Sequence, residues 1–274
     1  MVQVTRRAEF ARAANCCPHL RAPANALACT LLKRWATSAA SAEQSVPPHD
    51  LVLCAALLHR RLATFGSTLD ATSERARIVS GDLRGGALLD ALLAIPAADR
   101  EAWIDAVLGI PPPPPDRDLP RGAVPYLPAG VDEIIAMVRE APVLATDELV
   151  DLGSGLGRVL VLAHLLSGAR ARGIELQSHL VDRARDACAE LRLPAVTFEH
   201  ANAADVDLDG SVFFLYAPFN GDMLARVVRR LEAVAQRRRI TIATVDLELG
   251  DLPWLVARPS SRTALTLYAS TQPP

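Results

Sequence analysis

The sequence predicts an α/β fold, an open parallel sheet with helices on both faces, preceded by a small helical region. Three observations carry this. From residue 122 onward, short apolar runs alternate with amphipathic segments, the pattern of strands joined by crossover helices. A glycine-rich turn follows the first of those runs directly and opens into a helix. An unbroken proline run, Pro111 to Pro115, separates this part from the helical pattern before it. Prolines cannot donate backbone hydrogen bonds and favour a stiff extended spacer.

Residues 1–48 have weak periodicity and end in Ser45-Val46-Pro47-Pro48, which reads as a mobile basic arm with one short helix around Ala26–Trp35. Its Arg-rich, acid-poor opening is compositionally like a transit peptide, although a basic leader or an overextended start accounts for it as well. Residues 49–110 form the expected helical region, with helices over Asp50–Phe65, Asp82–Ile95 and Asp99–Leu108. Asp99 is the expected N-cap of the last, and Gly109 lies beyond its C-terminus. Residues 111–121 are the linker, and 122–274 the main domain. In that domain the reading gives helices at Gly130–Glu140, Gly157–Leu166, Ser178–Leu191 and Asn220–Ala235. Strands are expected at Glu148–Asp151, Ala171–Glu175, Val196–Glu199, Val212–Tyr216 and Arg239–Thr244. Two more, Leu252–Arg258 and Thr263–Ala269, flank the turn-forming Pro259-Ser260-Ser261 and predict an antiparallel hairpin at the sheet edge.

Composition narrows the function classes. A formal charge of -2 gives no global pull toward nucleic acid or anionic membrane. The cysteines Cys16, Cys17, Cys29, Cys54 and Cys188 lack CxxC spacing, so neither a disulfide framework nor a metal site is expected. With no apolar run long enough to span a bilayer, a soluble cytoplasmic protein with reduced thiols is the expectation. His59, His164, His179 and His200 show no triad or metal spacing and receive no role. Arg226, Arg229, Arg230 and Arg237 to Arg239 make a basic run at a helix end, for which a solvated face is a simpler reading than nucleic-acid contact.

The chemistry-bearing segment is Val150-Asp151-Leu152-Gly153-Ser154-Gly155-Leu156-Gly157-Arg158. Glycines at a strand-to-helix turn let a ligand approach the backbone without meeting a Cβ. A dinucleotide site needs its third glycine one place later, where Arg158 stands. The acid before the glycines suits a cationic group, and S-adenosyl-L-methionine offers an ammonium and a sulfonium with no pyrophosphate. Some 20 residues on, Gly173-Ile174-Glu175 ends the second strand, where such folds place a carboxylate on ribose hydroxyls. Asn202, after the third strand, is the candidate for the adenine edge, with Asp205 in reserve; the alternative is that Asn202 only shapes a turn. The fourth strand ends at Tyr216-Ala217-Pro218-Phe219, whose carboxyl end faces the expected site of methyl transfer.

Asp151 to Gly157, Glu175 and the Tyr216 to Phe219 strand end together resemble the class I S-adenosylmethionine-dependent methyltransferases over about residues 122–274. That resemblance implies a Rossmann-like seven-stranded methyltransferase sheet. It implies S-adenosyl-L-methionine held by Asp151, Gly153, Ser154, Gly155, Gly157, Glu175 and Asn202. Tyr126-Leu127-Pro128-Ala129 is similar to the Tyr-Val-Pro-Thr segment of archaeal and mitochondrial protein-lysine methyltransferases, with Ala129 where that family has Thr. Val212 to Gly221 is similar to the matching stretch of the non-SET histone-lysine enzymes, with Ala217 where they have Asn. Methyl transfer to a protein lysine, with Tyr126 and Tyr216 lining the acceptor channel, is the implied activity. A small-molecule methyltransferase of secondary metabolism, a non-catalytic cofactor-binding scaffold and a nicotinamide-dependent oxidoreductase are the competing readings.

Overall fold

A computed structural model describes residues 71–112, 119 and 121–271. The helices expected at Ala26–Trp35 and Asp50–Phe65, and the arm over 1–48, lie outside the described residues. The elements are α1 Gly85–Ala94, α2 Ala97–Leu108, α3 Val131–Glu140, β1 Glu148–Leu152, α4 Arg158–Ser167, β2 Arg170–Glu175 and α5 Ser178–Glu190. They continue with β3 Val196–His200, β4 Val212–Tyr216, α6 Gly221–Ala235, β5 Thr241–Val245, β6 Leu255–Pro259 and β7 Leu265–Ser270. Residues 71–80 are also helical, which the sequence reading left unassigned.

The seven strands form one sheet in the order β3-β2-β1-β4-β5-β7-β6. The first five are parallel, and β7 runs antiparallel to β5 and to β6. This is the expected Rossmann-like seven-stranded sheet, with its C-terminal hairpin folded so that the last strand enters the sheet and β6 takes the edge. The order reverses between β1 and β4, and in open α/β sheets ligands bind at the carboxyl ends of the strands flanking such a reversal.

Burial on both faces explains the strand sequences. β4, Val212-Phe213-Phe214-Leu215, is buried throughout and reads as a continuous apolar run, as a covered parallel strand must. Val150, Leu152, Phe213, Leu215 and Ile242 pack with Val227 and Leu231 of α6 on one face. Leu149, Val212, Phe214 and Ala243 share the opposite core with α4, α5 and the helices in front of the sheet.

The expected division at residues 111–121 falls inside the compact unit Ala71–Pro274. The cause lies in α4, whose residues Arg158 to Leu165 are all buried. A helix buried all round needs cover on its far side as well as from the sheet. Ile78, Leu88, Leu92, Ile104 and Leu108 from the front helices supply it, within the same core as Leu160 and Leu162. His164 is a satisfied core histidine, its Nδ1 2.7 Å from the Ala169 carbonyl oxygen.

Helix ends shift by a few residues from expectation. Asp99 is not an N-cap: α2 starts at Ala97 with Pro96 as its cap residue, and the Asp99 N–H already donates to the Pro96 carbonyl at 2.9 Å. Proline, with φ preset, begins this turn before the acid is reached. The helix expected from Asp82 starts at Gly85, because a turn at Gly81 interposes, with the Leu83 N–H donating to the Arg77 carbonyl. Gly109 is left-handed, at φ 71°, and closes α2 as expected. No helix among the described residues is long and apolar enough to cross a membrane.

Candidate active site

A cleft opens where β1 and β4 diverge. Tyr126, Gly153, Glu175, Asn202 and Tyr216 line its larger part, and Tyr126, Asp151, Gly153, Ser154 and Tyr216 line the adjoining recess. The residues singled out from sequence therefore converge, apart from Gly155 and Gly157. Those two shape the loop from behind. A Cβ on Gly155 would stand 2.1 Å from the Tyr126 ring, and one on Gly157 would stand 2.5 Å from the Phe198 ring.

Local bonding holds the loop. The Gly153 and Ser154 N–H groups both donate to the Ile174 carbonyl, at 2.8 and 3.3 Å, and the Gly157 N–H donates to the Ser154 carbonyl at 2.8 Å. Glu175 joins the two strand ends. Its Oε2 accepts from the Gly155 N–H at 2.9 Å and its Oε1 from the Gln177 N–H at 2.8 Å. Each oxygen keeps a second lone pair for a further donor.

Asp151 is the unusual group. It is 3% exposed, and its sheet neighbours in register are Gly173 and Phe214, neither of which offers a polar side chain. No hydrogen bond to its carboxylate is formed among the described residues. Burial first, and then the nearby Glu175 charge, push its carboxyl well above the ordinary carboxylate range. Beside it the Ser154 hydroxyl oxygen is buried without a hydrogen-bond partner. Burying polar groups unpaired costs stability, so each such group calls for a physical reason.

The two tyrosines differ in setting. Tyr126 is pushed up to about 12, chiefly by burial, while the Arg158 guanidinium opposes the shift; the Leu156 backbone N–H faces its hydroxyl. Tyr216 is raised by burial and then by the charges of Asp246 and Glu133. Both hydroxyls are thus neutral donors at physiological pH. Ala217 then takes φ 36°, a left-handed conformation that costs a residue with a Cβ roughly 1–2 kcal/mol. The turn brings Pro218 against Gly153, where a Cβ would stand 2.5 Å away.

A strap over residues 121–127 borders the cleft, held by the Ala123–Phe219 bridge and by hydrogen bonds from Val124 to Pro218 and from Asn220 to Gly122. Sequence reasoning named Tyr126, Leu127 and Phe219 but missed the pairing that holds the strap, along with Met223 of the cleft wall. Pairing of one irregular segment with another leaves no periodic trace.

Asn202 shapes its turn and also faces the cleft: its Oδ1 accepts from the Ala204 N–H at 3.0 Å and its Nδ2 donates to Asp205 at 2.9 Å. Asp205 does not line the cleft; it pairs with Arg226. Other arginines of α6 and of the turn after it continue this pattern. Arg230 bonds the Ala204 and Val206 carbonyls at 2.7 and 2.9 Å, Arg237 the Leu208 carbonyl, and Arg238 pairs with Asp209. Much of the basic run is therefore spent on the loop that carries Asn202. Replacing Arg230 by Ala should lower stability by about 1–2 kcal/mol, since two carbonyls lose a charged donor. Thermal unfolding measures it, and an unchanged midpoint would show that the loop holds itself.

No protein-family model matches the chain, and no curated protein matches it. Among solved structures it is similar to an RNA methyltransferase from Salinibacter ruber in complex with S-adenosyl-L-homocysteine. That likeness has 24% identity over 54% of this chain and 97% of the other, with a TM-score of 0.44. A putative methyltransferase from Escherichia coli is 18% identical over 55% of this chain and 91% of its own, TM-score 0.44. A geranyl diphosphate C-methyltransferase from Streptomyces coelicolor is 22% identical over 41% and 42%, TM-score 0.36. The fold assignment rests on the strand order and pairing described above.

Proposed function

We propose that this chain is an S-adenosylmethionine-dependent methyltransferase. The observation that carries the reading is Asp151, buried and with no hydrogen bond to its carboxylate among the described residues, beside Glu175 at the reversal point of the sheet. Such a pair calls for a ligand that brings a cation to one acid and hydroxyl donors to the other. An adenosyl sulfonium with an α-ammonium and a ribose offers both. A dinucleotide would instead bring a pyrophosphate toward two acids, and the guanidinium nearest the loop, Arg158, is already committed to Asp105 and Glu101.

In this reading Asp151 holds the ammonium, Glu175 the ribose hydroxyls, and Gly153, Ser154 and Gly155 the close-approach surface. Gly157 gives the loop its course, and Asn202 meets the adenine. Bound S-adenosylmethionine supplies an electrophilic methyl group on sulfur. Tyr126 and Tyr216 line the path to it, exclude water and orient the acceptor, which raises the rate through proximity and alignment.

For the acceptor we favour a protein lysine. Of the two acids whose charges act on Tyr216, Glu133 pairs with Arg262 at 3.1 Å, and Asp246 suits an amine that arrives as a cation. The buried aromatic wall then favours its neutral, nucleophilic form. The test is transfer of labelled methyl from S-adenosylmethionine into cell extract. Label that becomes small and soluble after protease treatment supports a protein acceptor. Label in protease-resistant small molecules moves the assignment to a small-molecule methyltransferase, and cofactor binding with no transfer moves it to a scaffold.

A further inference from the structure

We infer that α2 is a working part of the cofactor site, acting through one buried guanidinium that clamps both the glycine loop and the Tyr126 segment; this rests on the methyltransferase reading above. Arg158 follows Gly157 directly, and its side chain is only 6% exposed. Its Nε and Nη2 make a fork to Asp105 at 2.9 and 2.5 Å. Its Nη1 donates to Glu101 at 2.5 Å and to the Ala129 carbonyl at 2.9 Å. The other oxygen of Glu101 accepts from the Val131 N–H at 2.7 Å. Next to Glu101 in the chain, Arg100 pairs with Asp132 at 2.6 Å.

These bonds converge on residues 129–132, which continue from Tyr126-Leu127-Pro128. One end of the clamp is therefore the last position of the glycine loop, and the other is the backbone that carries the aromatic wall. Tyr126 lies in tight contact with Gly155, so the space left for a ligand between wall and loop depends on how the two are held. A planar bidentate fork sets distance and angle together, which a point charge does not. Arg158, Asp105 and Glu101 are accordingly positioning residues rather than catalytic ones.

The test compares full-length Asp105→Asn and Glu101→Gln chains with the wild type by calorimetric titration of S-adenosylhomocysteine, well below the unfolding midpoint. Each variant should bind about tenfold more weakly with unchanged far-ultraviolet circular dichroism. Because the effect runs through the aromatic wall, Asp105→Asn should add little once Tyr126 is replaced by Ala. Unaltered affinity with a lowered midpoint in both variants would overturn the inference and make the clamp a fold fastener only, as would full additivity with Tyr126→Ala. Should the wild type itself bind no adenosyl compound, the methyltransferase reading fails first and takes this inference with it. Arg158→Lys, which keeps the charge and loses the fork, should bind no better than Asp105→Asn; wild-type affinity in it would also count against the clamp.

Discussion

Replacing Asp151 by Asn should make the protein more stable without ligand and weaken its affinity for S-adenosylmethionine at least a hundredfold. The two effects have one cause. A carboxylate on a residue 3% exposed, with no hydrogen bond among the described residues, pays a desolvation cost in the free protein, and a bound ammonium returns that cost as binding energy. Removing one member of a buried charged pair costs about 2–5 kcal/mol of binding, which covers a hundredfold loss. The stability gain should be about 1–2 kcal/mol, because the amide still lacks a partner but no longer carries charge. The pH dependence separates this from a general packing effect. With its folded-state pKa raised above the unfolded value, Asp151 holds a proton more tightly in the native state. Native stability therefore falls as pH rises from the ordinary carboxylate range through the raised value, and it is recovered on acidification. In Asp151→Asn that slope should vanish. Titration calorimetry and thermal unfolding across pH measure both halves, and a variant that loses stability while keeping affinity would remove Asp151 from the site.

Gly155→Val should abolish measurable cofactor binding. The position has φ 53°, and its Cβ would stand 2.1 Å from the Tyr126 ring, so the ring must leave its place or the loop must move. Left-handed backbone at a β-branched residue adds about 1–3 kcal/mol of strain, so the melting temperature should fall too. The steric and conformational parts can be pulled apart. In a Tyr126→Ala background the ring clash is gone and only the backbone strain remains, so Gly155→Val should cost less affinity there than in the wild type. Equal losses in both backgrounds would mean that Tyr126 does not govern the space above the loop.

Much of this site is readable before folding because its residues are close in sequence or placed by a short repeat of pattern. Asp151 to Gly157 lie on one turn, and Glu175 follows one crossover later, so strand and helix periodicity alone bring them to one sheet edge. Asn202 and Tyr216 follow by the same logic, each at the carboxyl end of a parallel strand. Their surroundings are a different matter. That Asp151 finds no hydrogen bond among the described residues depends on Gly173 and Phe214 in neighbouring strands, and no local pattern reports such surroundings.

The sequence by itself determined the order of elements and the side of the sheet on which the glycine loop and its acids stand, since period and turn chemistry act over a few residues. Only the tertiary structure decided that the front helices belong to the same core, that the 121–127 strap borders the cleft, and that Arg158 faces Asp105 across 53 positions. Those outcomes depend on covering α4, buried on every side, and satisfying its buried guanidinium. Such demands can be met from anywhere along the chain, so their solution appears only when distant segments are packed together.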